Sequence, residues 1–176
     1  MNISIKQRTT SLILSLKTIF LVLLALSFLF SSSASAYERT GRLGIGMTNQ
    51  LKIDSPQISF KMQKSRSTSI GGMFGVSTND KDGGYGAGLK IYRNIFDEPQ
   101  MNFYFAGSGA LLSQKINGTS YSGFQIDLGF GSEFHFQGLN SLGFSFEFGF
   151  SGHKTRDFSF ETMGNSFIVS GVHFYL

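Results

Sequence analysis

The stretch Leu142-Gly143-Phe144-Ser145-Phe146-Glu147-Phe148-Gly149-Phe150 decides the fold. Every even position in it is Leu or Phe, and every odd position is Gly, Ser or Glu. Successive side chains of a β-strand point to opposite faces, so a period of two places all the large apolar groups on one face. The stretch therefore predicts a strand with one apolar face and one face of small and polar residues.

The same alternation recurs along the chain after residue 36. It is clear in residues 85–92, 101–106 and 124–136, and weaker elsewhere, in residues 43–47, 58–62, 70–76 and 167–176. Asp, Asn, Lys and Pro concentrate in the breaks between these segments, as is typical of turns. The breaks are residues 49–55, 64–67, 77–84, 94–100, 113–122, 137–141 and 152–166. The pattern predicts an all-β fold of eight strands of about 9–13 residues each.

Composition excludes several classes of protein. The chain has 176 residues, with 22 Gly, 20 Phe and no Cys, and only 15% of its residues are charged. A disulfide scaffold and a Cys-ligated metal site both need cysteine. A disordered chain has few aromatic residues and much charge, which is the opposite bias. The mean hydropathy of +0.03 is too low for a bundle of transmembrane helices.

Residues 1–36 have the pattern of an export signal. Lys6, Arg8 and Lys17 form a basic region, residues 18–30 are apolar, and Ala34-Ser35-Ala36 offers a cleavage site. We expect two parts, a cleaved signal peptide at 1–36 and a β-barrel at 37–176. Without the signal, 12 basic residues face 11 acidic ones, since the signal holds three of the 15 basic residues and none of the acidic ones. This balance gives no support to nucleic-acid binding.

The second face of the strands indicates where the protein resides. It carries mainly Gly, Ser and Ala, whereas a face in contact with water would carry Lys, Glu, Thr and Gln. Gly weakens a strand unless close packing requires it, and the narrow interior of an eight-stranded barrel supplies that requirement. The large apolar residues then point outward, which is stable in lipid. We predict an eight-stranded antiparallel up-and-down transmembrane barrel, with a soluble ligand-binding barrel as an alternative.

Connection lengths fit this topology. With both termini on the periplasmic side, alternate connections should be short turns. The second, fourth and sixth breaks are shorter than the third, fifth and seventh. We expect the longest break, residues 152–166, to be an outer loop.

In these features the sequence resembles the small bacterial outer-membrane barrels of the OmpA/OmpX type. The resemblance covers residues 37–176, and it lies in the pattern of the strands. It implies a Gram-negative outer membrane, contact with its lipid and lipopolysaccharide, and insertion by the barrel-assembly machinery. Phe174 and Leu176 stand where such barrels carry their assembly signal, although an aromatic residue is usual at the last position. The fold hosts many activities and does not by itself imply one.

The register predicts which side chains point inward and which outward. Charges inside a narrow barrel must be paired or hydrated, so we expect an internal salt-bridge network. The predicted inward charged residues are Arg42, Lys61, Lys90, Asp127, Glu133 and Glu147, with His135 beside them. The predicted lipid-facing residues are Phe103, Phe105, Ile126, Leu128, Phe130, Phe144, Phe146 and Phe148. Aromatic girdles are expected at both interfaces, from Tyr37, Tyr92, Phe96, Phe136 and Tyr175 on the periplasmic side and Tyr85, Tyr121 and Phe150 on the outer side.

The predicted function is that of a non-enzymatic outer-membrane barrel with a side-chain-filled lumen and short outer loops for structural or surface-interaction roles. One alternative is a lipid-A-modifying enzyme, since Ser151 and His153 share a strand face near the acidic residues Asp157 and Glu161. Another is a small channel, which a filled lumen disfavours. The three histidines lie on separate elements, so we expect neither a metal site nor a cofactor.

Overall fold

Nine β-strands make up the computed structural model, which describes residues 40–53, 55–79, 82–164 and 168–176. Within these ranges no helix is long and apolar enough to cross a membrane. The expected signal at 1–36 lies outside the described residues, as does Tyr37. The strands are β1 Leu43–Thr48, β2 Gln57–Ser65, β3 Thr68–Ser77, β4 Gly84–Glu98, β5 Met101–Ile116, β6 Thr119–His135, β7 Leu142–Lys154, β8 Phe158–Thr162 and β9 Val169–Tyr175.

The strands form a closed antiparallel barrel with eight positions around its circumference. Each strand from β1 to β7 pairs with the next along the chain. β8 and β9 share the eighth position, since β8 pairs with the C-terminal part of β7 and β9 pairs with its N-terminal part. β9 also pairs with β1 and closes the barrel. The predicted eight-stranded up-and-down topology is confirmed.

Register places like residues opposite one another. Phe105 opposes Phe130, and Phe130 opposes Phe148 on the next strand. Their rings form a continuous row on the outer surface, with centroids 5.5 Å apart for the first pair and 6.2 Å for the second. On the inner surface Gly129 opposes Gly149. Cross-strand aromatic pairs stabilise a sheet, so alternation in the sequence becomes a belt of Phe outside and a small-residue face inside.

Three segments that the sequence assigns to loops are largely strand. In the first of them, residues 94–100, β4 continues to Glu98. Residues 113–122 complete β5 and β6, which join in a two-residue turn at Asn117 and Gly118, both with positive φ. This is the tight hairpin turn that an Asn-Gly pair favours. The predicted long outer loop at 152–166 is wrong, because β7 continues to Lys154 and β8 returns alongside it. Phe160 of β8 stacks on Phe150 with ring centroids 5.6 Å apart, which extends the aromatic surface.

The connection between β1 and β2 folds into the barrel. Gln50, Leu51 and Ile53 are almost completely buried, with at most 4% of each side chain exposed. We call residues 49–53 the plug segment. Its position corrects the sequence-based assignment of residues 49–55 to a turn, because two of its apolar side chains pack on the inner surface of β3 and β5.

Candidate functional site

The lumen is the most polar buried part of the molecule, and the half of it near the start of β1 and the end of β9 centres on Glu133. The Lys61 ammonium lies 2.7 Å from Glu133 Oε2. The Tyr175 hydroxyl donates to the other carboxylate oxygen at 2.5 Å, and His135 Nε2 lies 3.7 Å from Oε2. All four of these residues are at least 95% buried. A carboxylate with this many partners is compensated for its loss of water.

A second ion pair lies deeper in the lumen. Lys90 binds Glu147, and the Tyr104 hydroxyl donates to Glu147 Oε1 at 2.8 Å. The ammonium groups of Lys61 and Lys90 lie 4.5 Å and 5.0 Å from the ring centre of Tyr92. Both cations therefore lie close to the same aromatic ring, whose negative face attracts them.

Gln50 of the plug segment connects this pair to Asp127. Lys90 donates to Gln50 Oε1 at 2.6 Å, while Gln50 Nε2 donates to Asp127 Oδ2 at 2.8 Å. Ser108 and Gln125 also donate to Asp127. A single amide thus accepts from a cation and donates to an anion, which suits both of its ends.

Above the polar layers the lumen becomes apolar and then ends in a surface ion pair. Leu51 and Ile53 of the plug segment pack in one buried cluster with Met73, Ala110 and Leu112. Between them in the chain, the Lys52 ammonium donates to the Gly164 carbonyl at 2.6 Å and lies 2.9 Å from Glu161 Oε1. The plug segment is therefore held on three levels, by Gln50 below, by apolar contacts in the middle and by Lys52 above.

Glycines of the inner face make room for large side chains. A Cβ built on Gly131 would lie 2.8 Å from the Tyr104 ring. Cβ atoms on Gly129 and Gly149 would lie within 3 Å of the sulfur of Met163, which reaches inward from the residues that follow β8. The inner face is thus shaped to a defined set of occupants, and the lumen is filled in the region of these residues.

Arg42 lies at the end of the barrel where β1 begins and is half-buried. Its guanidinium donates to the backbone carbonyls of Tyr175 at 2.6 Å and Leu176 at 3.0 Å. These contacts tie the start of β1 to the end of β9. The other five predicted inward charged residues, Lys61, Lys90, Asp127, Glu133 and Glu147, are all buried in the lumen.

The outward face carries the residues that the sequence assigned to lipid. Phe105, Ile126, Leu128, Phe130, Phe146 and Phe148 are exposed, and Phe103 and Phe144 are half-buried among neighbouring rings. Phe174 and Leu176 are exposed as well. The expected girdle needs a correction, because Tyr92 and Tyr175 are buried in the lumen. They have the inward parity of Lys90 and His173 on their strands, and their hydroxyl groups and rings contact the charged side chains there.

Comparison with known proteins bears on this geometry. The chain is similar to the N-terminal β-barrel domain of Pseudomonas aeruginosa OprF, with 12% sequence identity, a TM-score of 0.57, and coverage of 79% of this chain and all of that one. The fold is that of a small outer-membrane barrel. A match with Ail, the attachment invasion locus protein of Yersinia pestis, has 10% identity and a TM-score of 0.35, covering 77% of this chain and 94% of that one. No protein-family model and no curated protein matches the chain.

The similarity to the OprF domain and the closure of the barrel confirm the predicted fold class and the resemblance to barrels of the OmpA/OmpX type, at the level of the fold. Among the described residues no group of His, Asp and Glu side chains is arranged to hold a metal ion.

The two candidate catalytic residues lie at the outer end of the lumen. Ser151 is fully buried, and its hydroxyl group has no hydrogen-bond partner among the described residues. His153 Nδ1 lies 3.5 Å from Glu161 Oε1. A nucleophile needs a hydrogen bond to its base and access to the substrate. Among the described residues His153 contacts a carboxylate, but Ser151 donates no hydrogen bond to His153.

Sequence reasoning missed several components of the lumen, among them Gln50, Leu51, Ile53 and Met163. The sequence gives little indication that these side chains point into the lumen. Leu51 and Ile53 are two alternating apolar residues inside a break, and Met163 is one apolar residue within a polar stretch. The glycines at 129 and 149 mark the space that Met163 fills, but they do not identify the side chain that fills it.

Proposed function

We propose that the chain is an integral, non-enzymatic outer-membrane protein with a structural or surface-interaction role. The observation that carries this proposal is the pairing of two surfaces on the same strands. The outside of the barrel exposes a belt of Phe, Ile and Leu, whereas the inside buries two ion pairs and their hydrogen-bond partners. An apolar exterior around a polar interior is the arrangement that a bilayer stabilises, and it would be unfavourable in water.

Strand length gives further support. β4, β5, β6 and β7 have 15, 16, 17 and 13 residues. A tilted strand needs about 9–11 residues to cross the hydrocarbon layer. The extra residues extend these four strands beyond the bilayer, where they can form a surface for interaction with other molecules.

Membrane fractionation tests the proposal. The full chain is expressed in a Gram-negative host, and the membranes are separated by density. We expect the chain in the outer-membrane fraction, from which detergent but not salt or urea releases it. Recovery in the soluble fraction without detergent would contradict the proposal and favour the soluble ligand-binding barrel.

A channel is the first alternative to be separated from it. The plug segment and the inward tyrosines occupy the lumen, so we expect planar bilayers containing the protein to show no steady conductance. The same conductance recordings are made on the variant Gln50→Ala, which removes the amide between Lys90 and Asp127. Reproducible conductance of the unmodified protein would favour the channel.

An enzyme that modifies lipid A is the second alternative, and the contact between His153 and Glu161 is the observation in its favour. Mass spectra of lipid A from cells expressing the unmodified chain and the variants Ser151→Ala and His153→Ala separate the two functions. We expect all three spectra to be the same. A lipid species that depends on both residues would establish the enzyme.

A further inference from the structure

The plug segment lies inside the barrel without joining its sheet. β1 ends at Thr48 and β2 begins at Gln57, and none of the described residues between them belongs to a strand. Side chains of the wall hold the segment instead. Gln125 accepts a hydrogen bond from the backbone N–H of Lys52 at 2.9 Å and donates one to the backbone carbonyl of Gln50 at 3.0 Å. Withdrawal of residues 50–53 would therefore break no hydrogen bond between the strands of the barrel.

The charged side chains that contact Gln50 each have a second partner. Lys90 also binds Glu147, and Asp127 also accepts a hydrogen bond from Gln125. A buried charge is strongly unfavourable only when it loses all compensation. Departure of Gln50 would leave both charges compensated, so the electrostatic penalty that fixes Lys61 and Glu133 in place does not fix the plug segment.

Ser151 shows a cost of having the plug segment in the lumen. In the register of the wall it lies between Asp127 of β6 and Glu161 of β8. These are the residues that hold the plug segment through Gln50 and Lys52. The Ser151 hydroxyl group is fully buried and has no hydrogen-bond partner among the described residues. Burial of an unpaired hydroxyl group is unfavourable, so opening of the lumen at this level would be favoured by its hydration.

The contact of the plug segment nearest to solvent is the ion pair between Lys52 and Glu161. The Lys52 ammonium lies 2.9 Å from Glu161 Oε1 and donates to the Gly164 carbonyl. The Lys52 side chain is 13% exposed, whereas that of Glu161 is 46% exposed. Without the carboxylate, a largely buried ammonium group would face a carbonyl oxygen alone of these two acceptors, which favours its movement into water.

We propose that the plug segment is a lid that opens and closes this end of the lumen, and that the ion pair between Lys52 and Glu161 holds it closed. The structure shows the closed state. In the open state residues 50–53 leave the lumen and water reaches Ser151. The strands stay paired, and Tyr104 with the ion pairs around it still fills the rest of the lumen. Opening therefore exposes a polar chamber at one end of the barrel and does not create a path through it.

Cysteine labelling tests the lid, because the chain contains no cysteine of its own. The full chain carrying Leu51→Cys is folded in detergent, and its rate of reaction with a water-soluble maleimide is measured. The same rate is measured after addition of Glu161→Gln, and again with Lys52→Gln present in both proteins. Asp157→Asn is the matched control, since it removes a nearby carboxylate whose side chain is 89% exposed. Unboiled and boiled gel samples establish that each variant is a folded barrel.

We expect Glu161→Gln to raise the labelling rate of Leu51→Cys about fivefold, the upper range for a partly exposed ion pair. The rate rises because a buried thiol reacts in proportion to the fraction of molecules that are open. Asp157→Asn should leave the rate unchanged. With Lys52→Gln present, Glu161→Gln should change the rate by less than about twofold, because the two residues act through one contact.

A second cysteine distinguishes opening of the lid from opening of the whole barrel. Ala106 is buried deeper in the lumen, in a cluster with Tyr92 and Tyr104. Ala106→Cys should react equally slowly with and without Glu161→Gln. An equal rise at Ala106→Cys and Leu51→Cys would mean that the barrel unfolds as a unit, and it would overturn the lid. A labelling rate of Leu51→Cys that Glu161→Gln does not change would overturn the role of the ion pair.

Discussion

Lys61 of β2 and Glu133 of β6 form an ion pair inside the lumen. Both side chains are more than 90% buried and lie 2.7 Å apart, and Tyr175 and His135 also contact the carboxylate. Removing one member of a buried pair leaves an uncompensated charge, which costs more than the pair itself contributes. The ion pair therefore restricts substitutions on both strands.

We predict that Lys61→Met lowers the free energy of unfolding by about 3–5 kcal/mol. The double variant Lys61→Met with Glu133→Gln should recover most of this loss, because no unpaired charge then remains. Lys64→Met, at an exposed position of the same strand, should change stability by less than about 0.5 kcal/mol. Urea titration of the folded fraction in lipid vesicles measures all three. A double variant as unstable as the single one would contradict the assigned pair.

Gly149 makes a second prediction at this scale. A Cβ at this position would lie 2.2 Å from the Leu128 carbonyl oxygen and 2.9 Å from the Met163 sulfur. Because the first of these atoms is backbone, we expect Gly149→Ala to destabilise the barrel by about 1–3 kcal/mol.

Gly109→Ala is the matched control, since its Cβ would point into open space on the outside. Its effect should be within about 0.5 kcal/mol in the same titration. Equal effects of the two substitutions would mean that the inner face is not closely packed at Gly149.

At the scale of elements, the plug segment is a part of the chain whose position does not follow from the alternation in the strands. It is bound by Gln50 to Lys90 and Asp127 and by Lys52 to Glu161. Because the chain contains no cysteine, single cysteines can report its position. We predict that Leu51→Cys reacts with a water-soluble maleimide at least about tenfold more slowly than Thr78→Cys, as buried groups react only through opening of the structure.

Thr78 is an exposed residue of another outer connection, so it reports the reactivity of an unprotected thiol. Urea should bring the two rates together by unfolding the barrel. Equal rates in the folded protein would show that the plug segment lies outside the lumen.

The elements also show what a sequence of this kind can predict. Alternation in residues 142–150 and 124–136 is sufficient to assign strands, faces and the inward positions of Glu133 and Glu147, because parity follows directly from strand geometry. It is insufficient for residues 49–53, where the inward fold depends on contacts with Asp127 and Met73 far along the chain. The extension of β7 and β8 was missed for a related reason, since Phe158 and Phe160 alternate over too few residues to outweigh the turn-forming residues around them.

At the scale of the whole molecule, the two faces of the strands account for the composition. Phe and Leu cover the outside, while Gly allows Tyr104, Tyr175 and Met163 to fill the inside. Closure by β1 and β9 leaves no unpaired edge between them, as a membrane requires. Of the described charged residues inside the lumen, Lys61, Lys90, Glu133 and Glu147 form ion pairs, and Asp127 accepts hydrogen bonds from Gln50, Ser108 and Gln125.

The central claim is that this closed barrel exists as a folded unit in the outer membrane, and gel migration tests it most directly. Outer-membrane fractions from cells expressing the full chain are run in mild detergent with and without boiling. We predict two different mobilities, because a closed hydrogen-bonded barrel resists detergent until it is heated. A single mobility that boiling does not change would contradict the account.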